Sequence, residues 1–445
     1  MDFAQTPFKL KLRFYFCQNF CGMLELQNIR QHKEHYVDAL QKRGIDAQEQ
    51  LDAIVSLDAS RRGIQTQLDE CLAKSNQLAK EIGMLFKSGK AGEANTLKAE
   101  TATLKESSKQ LQEQLNEKQA SLQELLYQIP NVPHKDVPKG QDDSDNEVVF
   151  EEGKPTTLDD KAEPHWELAK KYELIDFELG VKISGAGFPV YTGKGARLQR
   201  ALISYFLDKN TAAGYRETQV PHLVNEASGY GTGQLPDKEG QMYHVGNDDL
   251  YLIPTAEVPI TNLLRDELLS AEQLPIKYTG YTPCFRREAG SYGAHVRGLN
   301  RLHQFDKVEI VRVESQENSY QALEEMVEHV KGILAELELP YRILRLCGGD
   351  LGFTSALTYD FEVWSAAQQR WLEISSVSNF ETFQANRLKL RYKNKEGKKQ
   401  LCHTLNGSAL ALPRVLAALL ENNQSAEGIA IPKVLQAYTG FDRID

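Results

Sequence analysis

The sequence predicts an α+β protein, in which a domain built on a mostly antiparallel sheet flanked by helices follows an antiparallel coiled-coil arm. A heptad-like pattern of apolar residues, spaced alternately three and four apart, occupies residues 64–129. Helical and strand patterns alternate irregularly after residue 165, without regular strand–helix–strand units. Neither a P-loop nor a Rossmann glycine motif opens a helix, so neither of those parallel-sheet architectures is expected.

Composition and charge limit the classes of function. The chain has 445 residues, enough for two or three domains, and its 41% hydrophobic and 26% charged content is ordinary for a globular protein. The net charge of −10 means that any nucleic acid must be contacted through local basic patches. No stretch approaches the ~18 apolar residues of a membrane helix, so no membrane association is expected.

The first 22 residues have an unusual composition. Lys9, Lys11 and Arg13 precede a short apolar run that is typical of a truncated signal peptide, but no A-x-A cleavage pattern follows. We therefore interpret residues 1–22 as a non-native or dispensable extension ahead of a start at Met23.

The cysteines are dispersed along the chain. Cys17 and Cys21 have no second pair or histidine cluster, so no structural zinc is expected. Scattered cysteines predict reduced thiols and a cytoplasmic location.

Residues 23–130 are predicted to be an N-terminal domain with a long hairpin. An amphipathic helix is expected over about residues 23–44, and the hairpin over about residues 60–128, with a glycine-bearing turn near residue 90. Each arm of about 30 residues would reach roughly 45 Å, so most of the hairpin should project into solvent. The lysines available along it are Lys74, Lys80, Lys87, Lys90, Lys98, Lys105 and Lys109. By charge alone, they are also consistent with an ordinary solvated face.

An acidic linker is predicted over residues 131–164, and a second domain over residues 165–445. Within that domain, helices are expected at residues 197–213 and 323–337, a turn and a strand at residues 214–221, and a further strand at residues 341–345.

The chemistry is concentrated in a strand–loop–strand segment. Residues 281–287 and 304–311 have strand patterns, and the loop between them, residues 289–298, is rich in glycine and expected to move. Arg286, Glu288, Phe305 and Glu309 suit a nucleotide, because an arginine can grip phosphate and a ring can stack on a base. An exposed hairpin with scattered charges is the plain alternative.

Four further groups of residues follow apolar runs or open a helix. They are Thr255-Ala256-Glu257, Glu373-Ile374-Ser375-Ser376, Asn406-Gly407-Ser408 and Pro413-Arg414. Each alone has an ordinary structural interpretation, such as a strand cap or a helix-surface charge.

In this order, these segments resemble the class II aminoacyl-tRNA synthetases, and in particular their seryl-tRNA synthetase branch. Phe285-Arg286-Arg287-Glu288 through Glu309 resembles the second class II motif, and residues 406–414 resemble the third. Residues 185–221 resemble the first motif, a dimer-interface helix and strand. Thr255-Ala256-Glu257 and the N-terminal hairpin resemble features of the seryl branch, and the resemblance extends from about residue 23 to the end.

The resemblance implies a serine–tRNA ligase that uses ATP and Mg²⁺. Arg286 and Arg414 are implied as catalytic residues that neutralise phosphate charge. The implied ATP-binding residues are Arg286, Arg287, Glu288, His303, Phe305, Glu373, Ile374, Ser375, Ser376 and Arg414. Glu373 is implied as a Mg²⁺ ligand.

For L-serine, the implied residues are Thr255, Ala256, Glu257, Arg286, Glu309, Asn406 and Ser408. Thr255 and Glu257 would face the ammonium group. Glu309, with Asn406 or Ser408, would bind the hydroxyl.

The implied partners are tRNA(Ser), tRNA(Sec) and a second copy of the chain in a homodimer. Two rivals stay open: a paralogue that loads a carrier protein, and a coiled-coil scaffold with a non-catalytic nucleotide domain. The hairpin argues against the first, and the full set of charged site residues argues against the second.

Overall fold

The computed structural model describes residues 26–158, 162–288 and 296–445, so the extension over residues 1–22 lies outside the described residues. The helices are α1 (Leu26–Gln31), α2 (Lys33–Gln41), α3 (Gln48–Lys87), α4 (Ala91–Gln128), α5 (His165–Lys171), α6 (Phe177–Ile183), α7 (Gly193–Ala212), α8 (Glu226–Thr232), α9 (Glu257–Asn262), α10 (Ser319–Glu336), α11 (Thr382–Leu388), α12 (Leu412–Asn422) and α13 (Lys433–Thr439). In the described residues, no helix combines the length and apolarity needed to cross a membrane.

The N-terminal arm consists of α3 and α4, 40 and 38 residues long, joined by a turn at residues 88–90. The helices run antiparallel: the Cys71 Sγ lies 3.2 Å from the Leu104 carbonyl oxygen, and Lys74 pairs with Glu100. Every predicted seam position from residue 64 to 129 is buried or half-buried, and all seven lysines named above are exposed. The spacing rule therefore identified the packed side of the arm correctly.

The helix expected over residues 23–44 is interrupted. It divides at His32 into α1 and α2, and residues 23–25 lie outside the described part. The break allows Ile29 and Leu40 both to be fully buried in one small core at the base of the arm.

The strands of the described residues form one eight-stranded sheet and four smaller sheets. The strands are β1 (Glu147–Glu152), β2 (Ile175–Asp176), β3 (Val190–Tyr191), β4 (Arg216–Glu217), β5 (Leu223–Asn225), β6 (His244–Val245), β7 (Leu250–Leu252), β8 (Leu268–Ser270), β9 (Ile276–Phe285), β10 (Gln304–Glu314), β11 (Tyr341–Arg345), β12 (Leu357–Ser365), β13 (Arg370–Glu381), β14 (Arg391–Lys393), β15 (Lys399–Leu401), β16 (His403–Ala411), β17 (Gln424–Ser425), β18 (Gly428–Ala430) and β19 (Arg443–Ile444).

The large sheet has the order β1-β11-β12-β13-β16-β10-β9-β4. Every neighbouring pair is antiparallel except β4 and β9, which confirms the predicted mostly antiparallel α+β fold.

The segment expected to be a linker, residues 131–164, contributes the edge strand β1. Its backbone pairs with β11, and Phe150 lies 5.9 Å from the Tyr341 ring. The alternating apolar pattern of this strand consists only of Val148 and Phe150, and acidic residues surround it. The charge pattern alone therefore favoured a linker.

Side-chain alternation along β10 separates a core face from a pocket face. Val308 and Ile310 are fully buried in the main hydrophobic core, which also contains apolar residues of α7, α10 and α12. Phe305, Lys307 and Glu309 alternate with them, and all three line the pocket on the other side.

The base of the arm is anchored to a loop that borders the pocket. The buried Arg43 guanidinium donates to the carbonyl oxygens of Asn131 (2.8 Å), Leu351 (2.7 Å) and Ser355 (2.6 Å). The Asn131 amide in turn donates to the Thr354 carbonyl at 2.9 Å. Thr354 and Ser355 both line the pocket, so the arm and the pocket share this loop.

Candidate active site

A polar cavity of about 550 Å³ opens over the pocket face of the sheet. It gathers most of the predicted site residues, namely Thr255, Glu257, Arg286, Glu288, Phe305, Glu309, Glu373, Ile374, Ser375, Ser376, Asn406, Ser408 and Arg414. These residues come from β10, β13, β16, the segment that follows β9, the entrance and first residue of α9, and the start of α12. Distant stretches of sequence therefore meet at one site.

Three predicted residues lie beside the cavity and do not line it. Ala256 is fully buried at the start of α9. The Arg287 guanidinium lies 5.5 Å from the Tyr243 ring centroid. His303 is held by a hydrogen bond between its Nδ1 and the Tyr243 hydroxyl (2.8 Å), and its ring stacks on Phe188.

The floor of the cavity is a buried charge network. The Glu309 carboxylate accepts a hydrogen bond from the Thr255 hydroxyl at 2.8 Å and pairs with the Lys307 ammonium at 2.5 Å. The Thr255 hydroxyl also accepts from the Glu257 backbone amide at 3.2 Å, which fixes the turn into α9. The Lys307 and Glu309 side chains are only 8% and 1% exposed, so solvent screens their attraction poorly.

Glu257 has a different environment from Glu309. Burial, reinforced by the nearby negative charge of Glu309, raises the pKa of the Glu257 carboxyl to about 7. The Gln384 side-chain amide donates to this carboxylate at 2.6 Å and opposes that rise. Near neutral pH, Glu257 therefore lies close to its titration midpoint, and a bound cation would favour its charged form.

The cationic wall is formed by Arg286. Its Nε donates to the Pro254 carbonyl at 3.3 Å, and its guanidinium lies 5.3 Å from the Phe305 ring centroid. A guanidinium and an aromatic face side by side can grip a phosphate and stack on a base.

Glu288 lies at the beginning of the loop that the sequence predicted to move. Its carboxylate accepts a hydrogen bond from the Arg301 guanidinium at 2.6 Å. Residues 289–295 of that loop lie outside the described residues, and its expected movement stays a prediction.

Arg414 and Glu373 form a second polar corner. The Arg414 Nη1 donates to the Glu373 carbonyl oxygen at 2.7 Å, and its Nε donates to the Asn300 carbonyl at 3.0 Å. The Ser376 hydroxyl lies 3.4 Å from the Glu373 carboxylate, whose side chain is half exposed. A carboxylate and a hydroxyl are hard oxygen donors, the type that suits Mg²⁺.

The sequence reasoning missed Lys307, Arg301 and Gln384. Strand alternation could have identified Lys307, because it lies between Phe305 and Glu309 at a spacing of two. Gln384 has no comparable signal, since it is a neutral amide on a short helix far along the chain from Glu257.

Two protein families match the chain. Residues 23–133 match the family described as the seryl-tRNA synthetase N-terminal domain. Residues 242–423 match the tRNA synthetase class II core domain (G, H, P, S and T).

Similar proteins cover almost the whole chain. A serine–tRNA ligase of Salinibacter ruber is 51% identical over 95% of this chain and 99% of its own length. The crystal structure of seryl-tRNA synthetase from Pyrococcus horikoshii complexed with ATP superimposes with a TM-score of 0.87 at 33% identity, over 95% of this chain and 99% of that one. A cytoplasmic serine–tRNA ligase from Naegleria fowleri in complex with AMP gives a TM-score of 0.83 at 26% identity, with the same coverages.

Proposed function

The chain belongs to the seryl-tRNA synthetase family and is an aminoacyl-tRNA ligase, and we propose how its pocket carries out the ligation of serine to tRNA. L-serine and ATP form seryl-adenylate in the cavity, and the seryl group then passes to the 3′ end of tRNA(Ser). One observation supports the assignment of this reaction to particular residues. Two arginines, Arg286 and Arg414, line the same cavity as the buried carboxylates Glu257 and Glu309.

The arginines suit the phosphate part of the reaction. The serine carboxylate attacks the α-phosphate in line, and pyrophosphate leaves. No protein side chain needs to form a covalent bond in this step. Arg286 and Arg414 therefore catalyse it by positioning the phosphates and neutralising their charge. Phe305 offers its ring to the adenine, and Glu288 offers a carboxylate to the adenine amino group.

The buried floor suits serine. Glu257 binds the ammonium group. The serine hydroxyl donates a hydrogen bond to the Glu309 carboxylate, with Asn406 or Ser408 as a further partner. Alanine would leave the Glu309 lone pair unpaired at a cost of about 1–3 kcal/mol. Threonine has the hydroxyl and must be excluded by the size of the pocket.

The donors at Glu373 and Ser376 fit Mg²⁺ brought in with ATP. When bound there, the ion would neutralise phosphate charge. The half-exposed Glu373 carboxylate is accessible to it, and Arg414 holds the Glu373 backbone in place from the other side.

The assignment of Arg286 is tested by serine-dependent ATP–pyrophosphate exchange with Arg286→Ala. We expect a loss of at least 100-fold, because removal of one preorganised charge donor has about this effect on the rate. Arg443→Ala, a surface arginine paired with Glu427, serves as the control and should retain normal exchange. Near-normal exchange by Arg286→Ala would refute the role.

The helical arm, part of a tRNA-binding domain over residues 23–130, is proposed to lie against tRNA(Ser). Its exposed lysines suit backbone and shape contacts to RNA. The structure sharpens the test, because Leu122 and Leu126 belong to the core at the arm's base and should be kept. Residues 64 and 111 lie opposite one another in the hairpin, so the segment from 64 to 111 should be replaced by a short Gly-Ser turn. Adenylate formation should survive and tRNA charging should fall by orders of magnitude, and unchanged charging would contradict the proposal.

A homodimer is also proposed. The segment resembling the first class II motif, residues 185–221, follows α6, whose Leu179, Val181 and Ile183 side chains are exposed. Exposed apolar side chains in a row favour a protein contact. Val181→Asp with Ile183→Asp should shift the sedimentation of the protein from dimer to monomer, whereas a wild-type protein that sediments as a monomer would refute the dimer. Charging of tRNA(Sec) and a cytoplasmic location stay predictions.

A further inference from the structure

We propose that Gln384 is a positioning residue for the amino-acid site: it holds the Glu257 carboxylate in the orientation that receives the ammonium group of serine. The inference rests on the proposed role of Glu257. Gln384 does not line the cavity; it lies behind Glu257 on α11 and is 1% exposed.

Three hydrogen bonds fix the Gln384 amide. Its Nε2 donates to the Glu257 carboxylate at 2.6 Å and to the Thr232 carbonyl at 3.3 Å. Its Oε1 accepts from the Thr404 hydroxyl at 2.8 Å. The Thr232 carbonyl can only accept, so the NH₂ end must face it and Glu257 together, and the orientation of the amide is determined.

The charges around Glu257 show why this contact matters. Glu309, on β10, opposes ionisation of Glu257, whereas the charges of Lys307 on the same strand and of Arg286, just after β9, favour it. Gln384 donates the closest side-chain hydrogen bond to the carboxylate among the described residues. Without it, one carboxylate oxygen would be buried and unpaired, and the side chain would favour its neutral form.

An ionised, fixed carboxylate binds an ammonium group better than a neutral or displaced one. A hydrogen bond to a charged group contributes about 1.5–3 kcal/mol. Loss of the Gln384 contact should therefore weaken serine binding by roughly 10- to 100-fold. ATP binding should not change, since Gln384 contacts none of the residues assigned to the nucleotide.

The experiment compares Gln384→Met, which keeps the volume and removes the amide, with Gln436→Met as a matched control. Gln436, on α13, donates to the Ile431 backbone carbonyl at 3.0 Å and lies outside the cavity. We expect Gln384→Met to raise the KM for serine at least tenfold in ATP–pyrophosphate exchange, with the KM for ATP within twofold of wild type. The acidic limb of the kcat/KM profile for serine should move to higher pH.

A serine KM within twofold of wild type, an equal rise in both KM values, or an unmoved acidic limb would overturn the inference. If Gln384→Met does not fold, Thr404→Val tests the same point, because it frees the far end of the amide and should raise the serine KM in the same direction by a smaller factor. A serine KM unchanged in Thr404→Val would then refute the inference.

Glu257→Gln separates this inference from the function on which it rests. If Glu257→Gln binds serine normally, the role of Glu257 is wrong. If Glu257→Gln is impaired and Gln384→Met is not, only the role of Gln384 fails.

Discussion

The buried pair of Lys307 and Glu309 predicts a large stability effect from a single substitution. Lys307→Met keeps most of the aliphatic stem and removes the ammonium group. Glu309 would keep only the Thr255 hydroxyl bond, because its ionic partner is gone. The substitution thus leaves a carboxylate that is 1% exposed without a compensating charge.

Removal of one partner from a buried ion pair destabilises a protein by about 3–5 kcal/mol. For a domain of this size, 1 kcal/mol shifts the melting temperature by roughly 2–4 °C. Lys307→Met should therefore lower the melting temperature by on the order of 10 °C. The double variant Lys307→Met/Glu309→Gln should recover part of that loss, since no uncompensated charge remains in it.

Thermal melting followed by fluorescence measures these shifts. Lys398→Met is the matched control: Lys398 pairs with Glu396 at 2.9 Å, but both side chains are about 70% exposed. An exposed pair contributes at most about 1 kcal/mol, so this control should melt within a few degrees of wild type. The reasoning is refuted if Lys307→Met melts like Lys398→Met, or if the double variant is no more stable than Lys307→Met.

Three further predictions concern single residues. Burial raises the pKa of Glu257 to about 7, so its contribution to stability is complete below its ordinary pKa near 4.5 and is lost as the pH rises through 7. The loss amounts to about 3 kcal/mol, and Glu257→Gln should make the melting temperature less dependent on pH between about 4.5 and 7.5; an unchanged dependence contradicts this. The Arg387 guanidinium is buried among the Phe383, Tyr127 and Phe353 rings, without a hydrogen-bond partner in the part of the chain that the structure describes. Arg387→Met should therefore preserve or raise the melting temperature, and a loss of more than about 2 kcal/mol in the free energy of unfolding would show that the charge itself is needed. Glu373→Gln should raise the Mg²⁺ concentration that half-saturates ATP–pyrophosphate exchange, while the serine KM stays within twofold of wild type. An unchanged Mg²⁺ requirement would show that Glu373 does not bind the ion.

Local periodicity was sufficient for the long elements. The spacing of three and four in the arm identified the buried positions of α3 and α4, because that spacing places the side chains on one face of each helix whatever helix packs against it. The hairpin of β9 and β10 was predictable for a similar reason, since aromatic and β-branched residues mark both strands.

Partners that are distant in sequence could not be predicted in this way. Strand β1 is stabilised by pairing with β11, almost 200 residues away, and its own six residues divide equally between glutamates and apolar residues, which is too weak a pattern to predict a strand. Gln384 acts on Glu257 only because α11 packs behind the entrance to α9. The residue types of the site were visible in the sequence, but the pairing among them was not.

That pairing gives a physical reason for the different roles that the family resemblance implies for the two carboxylates, Glu257 and Glu309. Glu309 is neutralised by Lys307 and so is suited to a neutral donor, the serine hydroxyl; Glu257 has an amide as its nearest partner and so is suited to a cation. Glu257→Gln should then weaken the binding of serine and of alanine to a similar extent, because both amino acids have an ammonium group. Glu309→Gln should chiefly reduce the preference for serine over alanine, by about 1–3 kcal/mol. Amino-acid competition in ATP–pyrophosphate exchange measures both ratios, and equal loss of discrimination in the two variants would show that the carboxylates do not divide the substrate in this way.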